Sequence, residues 1–208
     1  MSDVFEDRRD LDPHRERLWR LIEDTPNLDW LLLTKRIDKV KTLAPWSGKW
    51  PRNIWLGTTT ENQRWFDKRA EHLLMHDTIV HFISAEPLLG ALNISRHLAS
   101  ATNPSGINWV ITGGESGAGA RHTNPAWFLD LRDQCLAAGV AFFFKQWGQW
   151  GPEAAFADRA APEKAQRIQL VGRLAQKLEL VRAGRKHAIE PLLDGREWKQ
   201  LPALLLAA

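Results

Sequence analysis

Tyrosine is missing from this 208-residue chain, and cysteine occurs once, at Cys135. One thiol excludes any disulfide within the chain and any metal site built from cysteines alone, which points to a reducing cytoplasm. Long apolar runs are missing too. None approaches the roughly 18 residues that a membrane helix needs, and the charged N-terminus has no signal-peptide core. A soluble, unexported protein with no membrane partner is therefore expected. Nor is there a block of about five or six like charges. The formal charge is only +3, so nucleic acid is permitted as a partner without being required. Internal repeats and low-complexity tracts are absent. What is abundant is tryptophan, with 11 residues, whose rings serve cores, stacking surfaces and partner interfaces equally well.

At 44% hydrophobic and 25% charged, the chain can bury one sizeable core. Five short apolar runs, "WLLL" (30–33), "IWLG" (54–57), "VHFIS" (80–84), "WVIT" (109–112) and "AFFFK" (141–145), read as strands buried on both faces. Helical spacing fills gaps between them. Asp12-Pro13 opens one helix carrying Leu18, Leu21 and Ile22 on one face, Thr60 sits at the cap of a second, and a third runs from Asn124-Pro125 to Gly139. Buried strands alternating with helices predict an α/β fold with a parallel sheet and right-handed crossovers. The expected organisation is a partial TIM-type (β/α) barrel over 1–151, a linker or surface loop over 152–166 with no buried stripe, and a C-terminal extension over 167–208. In that extension "RIQLV" and "LELVR" alternate with period two and predict a small hairpin, and Asp194-Gly195 is a turn signal.

In parallel α/β folds ligands bind beyond the carboxyl ends of the strands, so polar residues there are the first candidates. Each strand supplies some: Thr34, Lys35 and Arg36 after the first; Thr58 within "GTTTEN" after the second; Glu86 after the third; Gly113, Gly114, Glu115 and Ser116 after the fourth; Lys145, Gln146 and Trp147 after the fifth. Each also has a plainer reading as a cap, a turn or a member of an ion pair. Pro87 restricts the backbone of Glu86, which either holds its carboxylate or merely ends the strand. Glycines beside Glu115 allow close backbone approach to a ligand, or simply make a turn. Lys145 ends an apolar strand where an acid such as Glu86 or Glu115 would be its natural partner, functional or structural. Arg36 either binds an anion or opens the next helix. Trp147 and Trp150 stack on a sugar or base, or plug the barrel mouth.

Several familiar chemistries are excluded. "GESGAG" lacks the Lys-Ser/Thr ending of a phosphate-binding P-loop and the full Gly-x-Gly-x-x-Gly spacing. His72 and His76 share a helix face without a carboxylate in the zincin arrangement, so no metal is expected there. Ser116 follows Glu115 and does not form a Gly-x-Ser-x-Gly nucleophile elbow.

The words "LLLTKR", "IWLGTTTEN", "FISAEPLLG", "WVITGGESGAGAR", "RDQCLAAGVAFFFKQWGQW" and "LLDGREW", in that order, resemble a phage-associated family of unknown function. Its complete members carry a three-cysteine, radical-SAM-like motif near their N-terminus. The resemblance covers most of the chain and implies a TIM-type or partial (β/α) barrel. It highlights Asp3, Thr34, Lys35, Arg36, Glu86, Glu115, Ser116, Lys145, Gln146 and Trp147. It also implies S-adenosylmethionine and an iron–sulfur cluster in a full-length form. "MSDVFED" resembles an internal stretch of complete members, so the cysteine segment is expected to be absent here, and radical chemistry with it, since three thiolates must hold such a cluster. "RKHAIEPLLDG" departs from the family pattern and leaves His187 and Glu190 unassigned.

Three functions compete. The first is the barrel portion of a radical-SAM-like enzyme lineage that binds a small cofactor or nucleotide-like ligand, with Glu86, Glu115 and Lys145 as its reactive groups. The second is a non-catalytic module that grips single-stranded nucleic acid through Lys35, Arg36 and exposed tryptophans. The third is a glycoside-hydrolase-like barrel with Glu86 and Glu115 as acid and nucleophile, which requires carboxyl groups about 5 to 5.5 Å apart for retention or about 6.5 to 9.5 Å for inversion.

Overall fold

The computed structural model describes residues 3–156, 165–171, 177–183 and 189–203. Its frame is α1 (Asp12–Asp24), β1 (Trp30–Thr34), α2 (Ile37–Leu43), β2 (Ile54–Thr59), α3 (Gln63–Leu74), β3 (Val80–Ala85), β4 (Trp109–Gly113), α4 (Pro125–Ala138) and β5 (Ala141–Gln146). All five apolar runs form strands, and all four neighbouring pairs are parallel in the order β1-β2-β3-β4-β5. The sheet is therefore α/β but open. β1 and β5 are its edges, and no closed barrel forms among the described residues. The crossover from β3 to β4 carries only a 3₁₀ turn, Ser95–His97, in place of a helix.

Period-two alternation divides the strand side chains between two faces. Leu32, Ile54, Leu56, Ile83, Val110, Phe142 and Phe144 pack with Trp19 and Ile22 of α1, Ile37 and Val40 of α2, Phe66 and Leu73 of α3, and Phe128 and Leu131 of α4. The intervening residues Trp55, Val80, Phe82 and Trp109 form a second cluster that contains no helical residue. All four helices thus lie on one side, as right-handed crossovers between sequential parallel strands require. On the other side the aromatics interlock, with Trp109 meeting Trp55 edge-on at 5.8 Å and Phe143 at 6.1 Å. Gly57 makes room for this cluster, because a Cβ there would stand 2.4 Å from the Phe82 ring. At the open edge, Leu31 and Leu33 of β1 project from the same face and are exposed.

Local signals explain most boundaries. Asn124 caps α4 by accepting from the Ala126 amide at 3.0 Å, and Gly139 ends that helix in the left-handed region. For α3 the capping residue is Asn62, which accepts from Trp65, and not Thr60. For α1 the first helical residue is Asp12, one position after the cap. Beyond β5, β6 (Trp150–Pro152), β7 (Arg167–Val171) and β8 (Lys177–Arg182) form a three-stranded antiparallel sheet in the order β6-β8-β7. The hairpin predicted from "RIQLV" and "LELVR" is its β7–β8 pair, while the "GRLAQ" turn lies outside the described residues. The stretch read as a linker over 152–166 opens with the last residue of β6 and a 3₁₀ turn, Glu153–Ala155; Ala155 and Phe156 are buried, the latter bridged to Ile189, and 157–164 lie outside the described residues. β9 (Leu192–Leu193) and β10 (Arg196–Glu197) flank Asp194-Gly195, both at positive φ. Residues 198–200 then run along the free edge of β5. The Phe144 amide donates to the Trp198 carbonyl, Gln200 N–H donates to Phe142, and the Trp109 indole donates to the Gln200 carbonyl at 2.9 Å. No helix among the described residues is long and apolar enough to cross a membrane.

Candidate functional site

The carboxyl ends of β3, β4 and β5 bring their terminal residues together. Thr112 pairs with Phe144 and Gly113 with Gln146, which makes Lys145 the extra residue of a β-bulge. A bulge re-aims the residue it leaves unpaired. Here the Lys145 ammonium meets Glu86 Oε2, from the end of β3, at 3.2 Å. The pair crosses β4 over Gly113, where a Cβ would lie 3.0 Å from Glu86 Oε2 and 3.2 Å from the Gln146 carbonyl. A Cβ there would press on both, so glycine leaves the pair the most room. Glu86 is 16% exposed and Lys145 56%, so the carboxylate is recessed and the ammonium stands at the rim. Ser84 Oγ lies 3.5 Å from Glu86 Oε1, and the Glu86–Pro87 peptide bond is cis.

Next to this pair, Gly114 donates to the Gln146 carbonyl at 2.9 Å, and the Gln146 amide donates to Ser116 Oγ at 3.0 Å and to the Gly114 carbonyl. Gly114 is packed more tightly still, with its missing Cβ position 1.8 Å from the Trp147 carbonyl oxygen. Glu115 does not join Glu86. Its two oxygens accept a fork from the Arg121 guanidinium at 2.7 and 2.8 Å, with the Arg121 amide as a third donor at 2.8 Å. The Arg121 side-chain bond, followed by the amide bond, holds its carboxyl down to about 2. An acid so held stays ionised and has little capacity to deliver a proton.

At the ends of β1 and β2 the charges are likewise matched. Asp3 accepts from Thr34 Oγ1 and the Lys35 amide, both at 2.8 Å, which ties the N-terminal segment to β1. Lys35 donates to Glu61 at 2.5 Å, and buried Arg69 donates to Glu61 at 3.1 Å and to the Thr59 carbonyl at 2.7 Å. Burial alone would raise the Glu61 carboxyl, but the bonds from Lys35 and the backbone, with the charge of Arg69, hold it below its ordinary value. Arg36 is the residue before α2, and its amide donates to Thr34 Oγ1. Thr58 is fully buried with its hydroxyl on the Thr34 carbonyl.

Of the predicted residues, then, Glu86, Lys145, Gly113, Gly114, Ser116 and Gln146 share one neighbourhood, while Asp3, Thr34, Lys35 and Arg36 form another. Thr58 and Trp147 are buried. Trp147 is 5% exposed, packs on Phe128 and Phe144 and donates to the Leu192 carbonyl, so its ring is buried in the core beside α4. Trp150 is buried too, its indole donating to the Ala120 carbonyl of the loop after β4. Sequence reasoning passed over Glu61, Arg69 and Arg121. Glu61 stands within the "GTTTEN" word, but its partners lie elsewhere in the chain. His187 lies outside the described residues.

The residues do not fit an iron–sulfur cluster. Cys135, the single cysteine, is fully buried in α4, and burial pushes its thiol up to about 12. A cluster needs several cysteine thiolates, and this chain has one thiol. Among the described residues no group of three or more His, Cys, Asp or Glu side chains is placed to hold a metal ion.

No curated protein and no solved structure matches the chain. The profile of one family, described as "Protein of unknown function (DUF5131)", matches residues 1–202 and so takes in every residue of the strand-end neighbourhoods, and the chain belongs to that family.

Proposed function

We propose that this chain is a partial TIM-type (β/α) barrel that binds a small cofactor or nucleotide-like ligand at the carboxyl ends of β3, β4 and β5. The observation that carries the reading is the Glu86–Lys145 pair lying across side-chain-free Gly113. A recessed carboxylate, an ammonium at the rim and the Ser116 hydroxyl offer complementary partners to the amino, carboxylate and hydroxyl groups of such a molecule. The sequential strand order with all helices on one side supports the barrel lineage. The resemblance to a phage-associated, radical-SAM-like family supports an adenosyl compound as the first ligand to try. Radical chemistry is no part of the proposal, because the chain's own residues do not hold a cluster.

The two other readings have less support. Glu115, ionised and forked by Arg121, suits neither a proton donor nor a free nucleophile, which weighs against glycoside cleavage. Lys35 is engaged by Glu61, which weighs against its use as a phosphate contact. Calorimetric titration with S-adenosylmethionine and with adenosine tests the reading. Saturable binding is expected, weakened at least about tenfold in Glu86→Gln, because a hydrogen-bonded charge contributes about 1.5 to 3 kcal/mol. Absence of heat with both compounds, or unchanged affinity in Glu86→Gln, would refute it.

A further inference from the structure

A cavity of about 550 Å³ opens at the other end of the molecule, between α2 and α3 and below the amino ends of β2 and β3. Its wall includes Trp46, Trp50, His72 and His76, and its polar groups include Asp38, Lys41 and Asp77. The aromatic wall is rigid. Phe5, Trp19, Trp46, Trp50 and His76 form a continuous series of ring contacts 5.0 to 5.8 Å apart that runs from the core out to the cavity. Trp46 is fixed further by its indole N–H, which donates to Glu23 at 2.9 Å. His76 is anchored through its carbonyl, which accepts from the buried His81 ring at 2.7 Å.

The charged groups of the cavity differ from those at the strand carboxyl ends. Asp38, Lys41, His72 and Asp77 make no side-chain hydrogen bond or ion pair with other described residues. Partly buried His76 is held down to about 4, chiefly by burial and further by its electrostatic neighbours, and is therefore neutral near pH 7. Two carboxylates against one ammonium leave this wall net negative. Tryptophan faces attract cations through the ring quadrupole and accept flat rings by stacking. A volume of this size lies within the range of small-molecule sites.

We infer that the cavity between α2 and α3 is a second binding site, selective for flat heteroaromatic cations, with Trp46 and Trp50 as the stacking wall and Asp38 and Asp77 as the counter-charge. The inference stands apart from the strand-end site, which shares none of these residues.

Three probes of one shape separate the contributions: N-methylquinolinium, a fixed cation; quinoline, neutral at pH 7; and quinoline-2-carboxylate, an anion. Each is titrated into the full chain, with nitrogen–proton NMR signals of the Trp46 indole and the His76 backbone as readouts. The cation is expected to shift both signals and to bind about fivefold or more tighter than quinoline, as a cation over a tryptophan contributes about 1 kcal/mol or more. The anion should bind weakest. The double substitution Asp38→Asn with Asp77→Asn should reduce affinity for the cation while leaving that for quinoline within about twofold, which also guards against a merely unfolded variant. Signals that stay still with all three probes at millimolar concentration overturn the site. Equal affinity for cation and anion, or a cation unaffected by the double substitution, overturns its charge selectivity.

Discussion

The two ends of the parallel sheet treat charge in opposite ways. At the carboxyl ends nearly every ionised side chain has a designated partner: Glu86 with Lys145, Glu115 with Arg121, Glu61 with Lys35 and Arg69. At the amino ends Asp38, Lys41 and Asp77 surround a cavity without such partners. The difference follows from what lies beneath. Recessed groups such as Glu86, Glu61 and Arg69 lose much of their hydration, and an unpaired ion there would be costly. Groups around the lower cavity remain in water and need no companion. A paired end is rigid and selective about what displaces a partner. An unpaired end can take a ligand without breaking anything first.

Substitutions can test whether that contrast is energetic as well as geometric. The largest effect is expected from Gly114→Ala, whose Cβ would collide with the Trp147 main chain. A loss of about 3 kcal/mol or more in urea unfolding is expected, because backbone and not a pliant side chain must move. Gly48→Ala, at a cavity-lining turn with positive φ and nothing near its Cβ, should lose only the roughly 1 kcal/mol of left-handed strain. Second is Arg69→Met, which strands the Thr59 carbonyl and removes one partner of Glu61. About 2 kcal/mol should be lost in the same assay.

Third is a pH effect confined to the amino end. The unfolded chain protonates His76 near 6.5, while the folded chain resists until about 4, so between those values the unfolded state holds more protons. Stability contributed by neutral His76 is complete above pH 6.5 and declines as pH falls toward 4. With partial exposure discounted, the loss should be about 1 kcal/mol between pH 7 and pH 4.5, and His76→Gln should flatten that part of the profile. His81, also held down chiefly by burial, should retain a share of the slope. The smallest effect on stability is expected from Arg121→Gln, because the pair is solvent-accessible. The sharper readout is Glu115 itself. Its carboxyl should titrate well above about 2 in the variant, measurable by carbon NMR of the side chain.

The sequence was most readable in its short apolar runs: all five appeared as strands within two residues of their expected ends, although edge strand β1 is buried on one face only and leaves Leu31 and Leu33 exposed on the other. The Asn124 cap, the Gly139 stop and the Asp194-Gly195 turn were legible because their signals are local. Short α2 has only seven residues, too few for a helical stripe to announce itself. Closure of the sheet was not legible, because strand count and edge pairing depend on long-range geometry. At the site, Gly113, Glu86 and Lys145 were readable as strand-end residues, but their meeting depends on a bulge that no pattern in "AFFFK" signals. Pairings such as Glu61 with Lys35, 26 positions apart, are likewise tertiary facts.

The run of residues 198–200 along β5 has a bearing on how the molecule is made. The Trp109 indole reaches a carbonyl 91 positions further on, so the far border of the sheet stays unsealed until that stretch has left the ribosome. Earlier pieces can order as they emerge, but this seam waits for residues synthesised about 90 positions after Trp109, and translation arrested short of Trp198 would release a protein with a bare, adhesive margin.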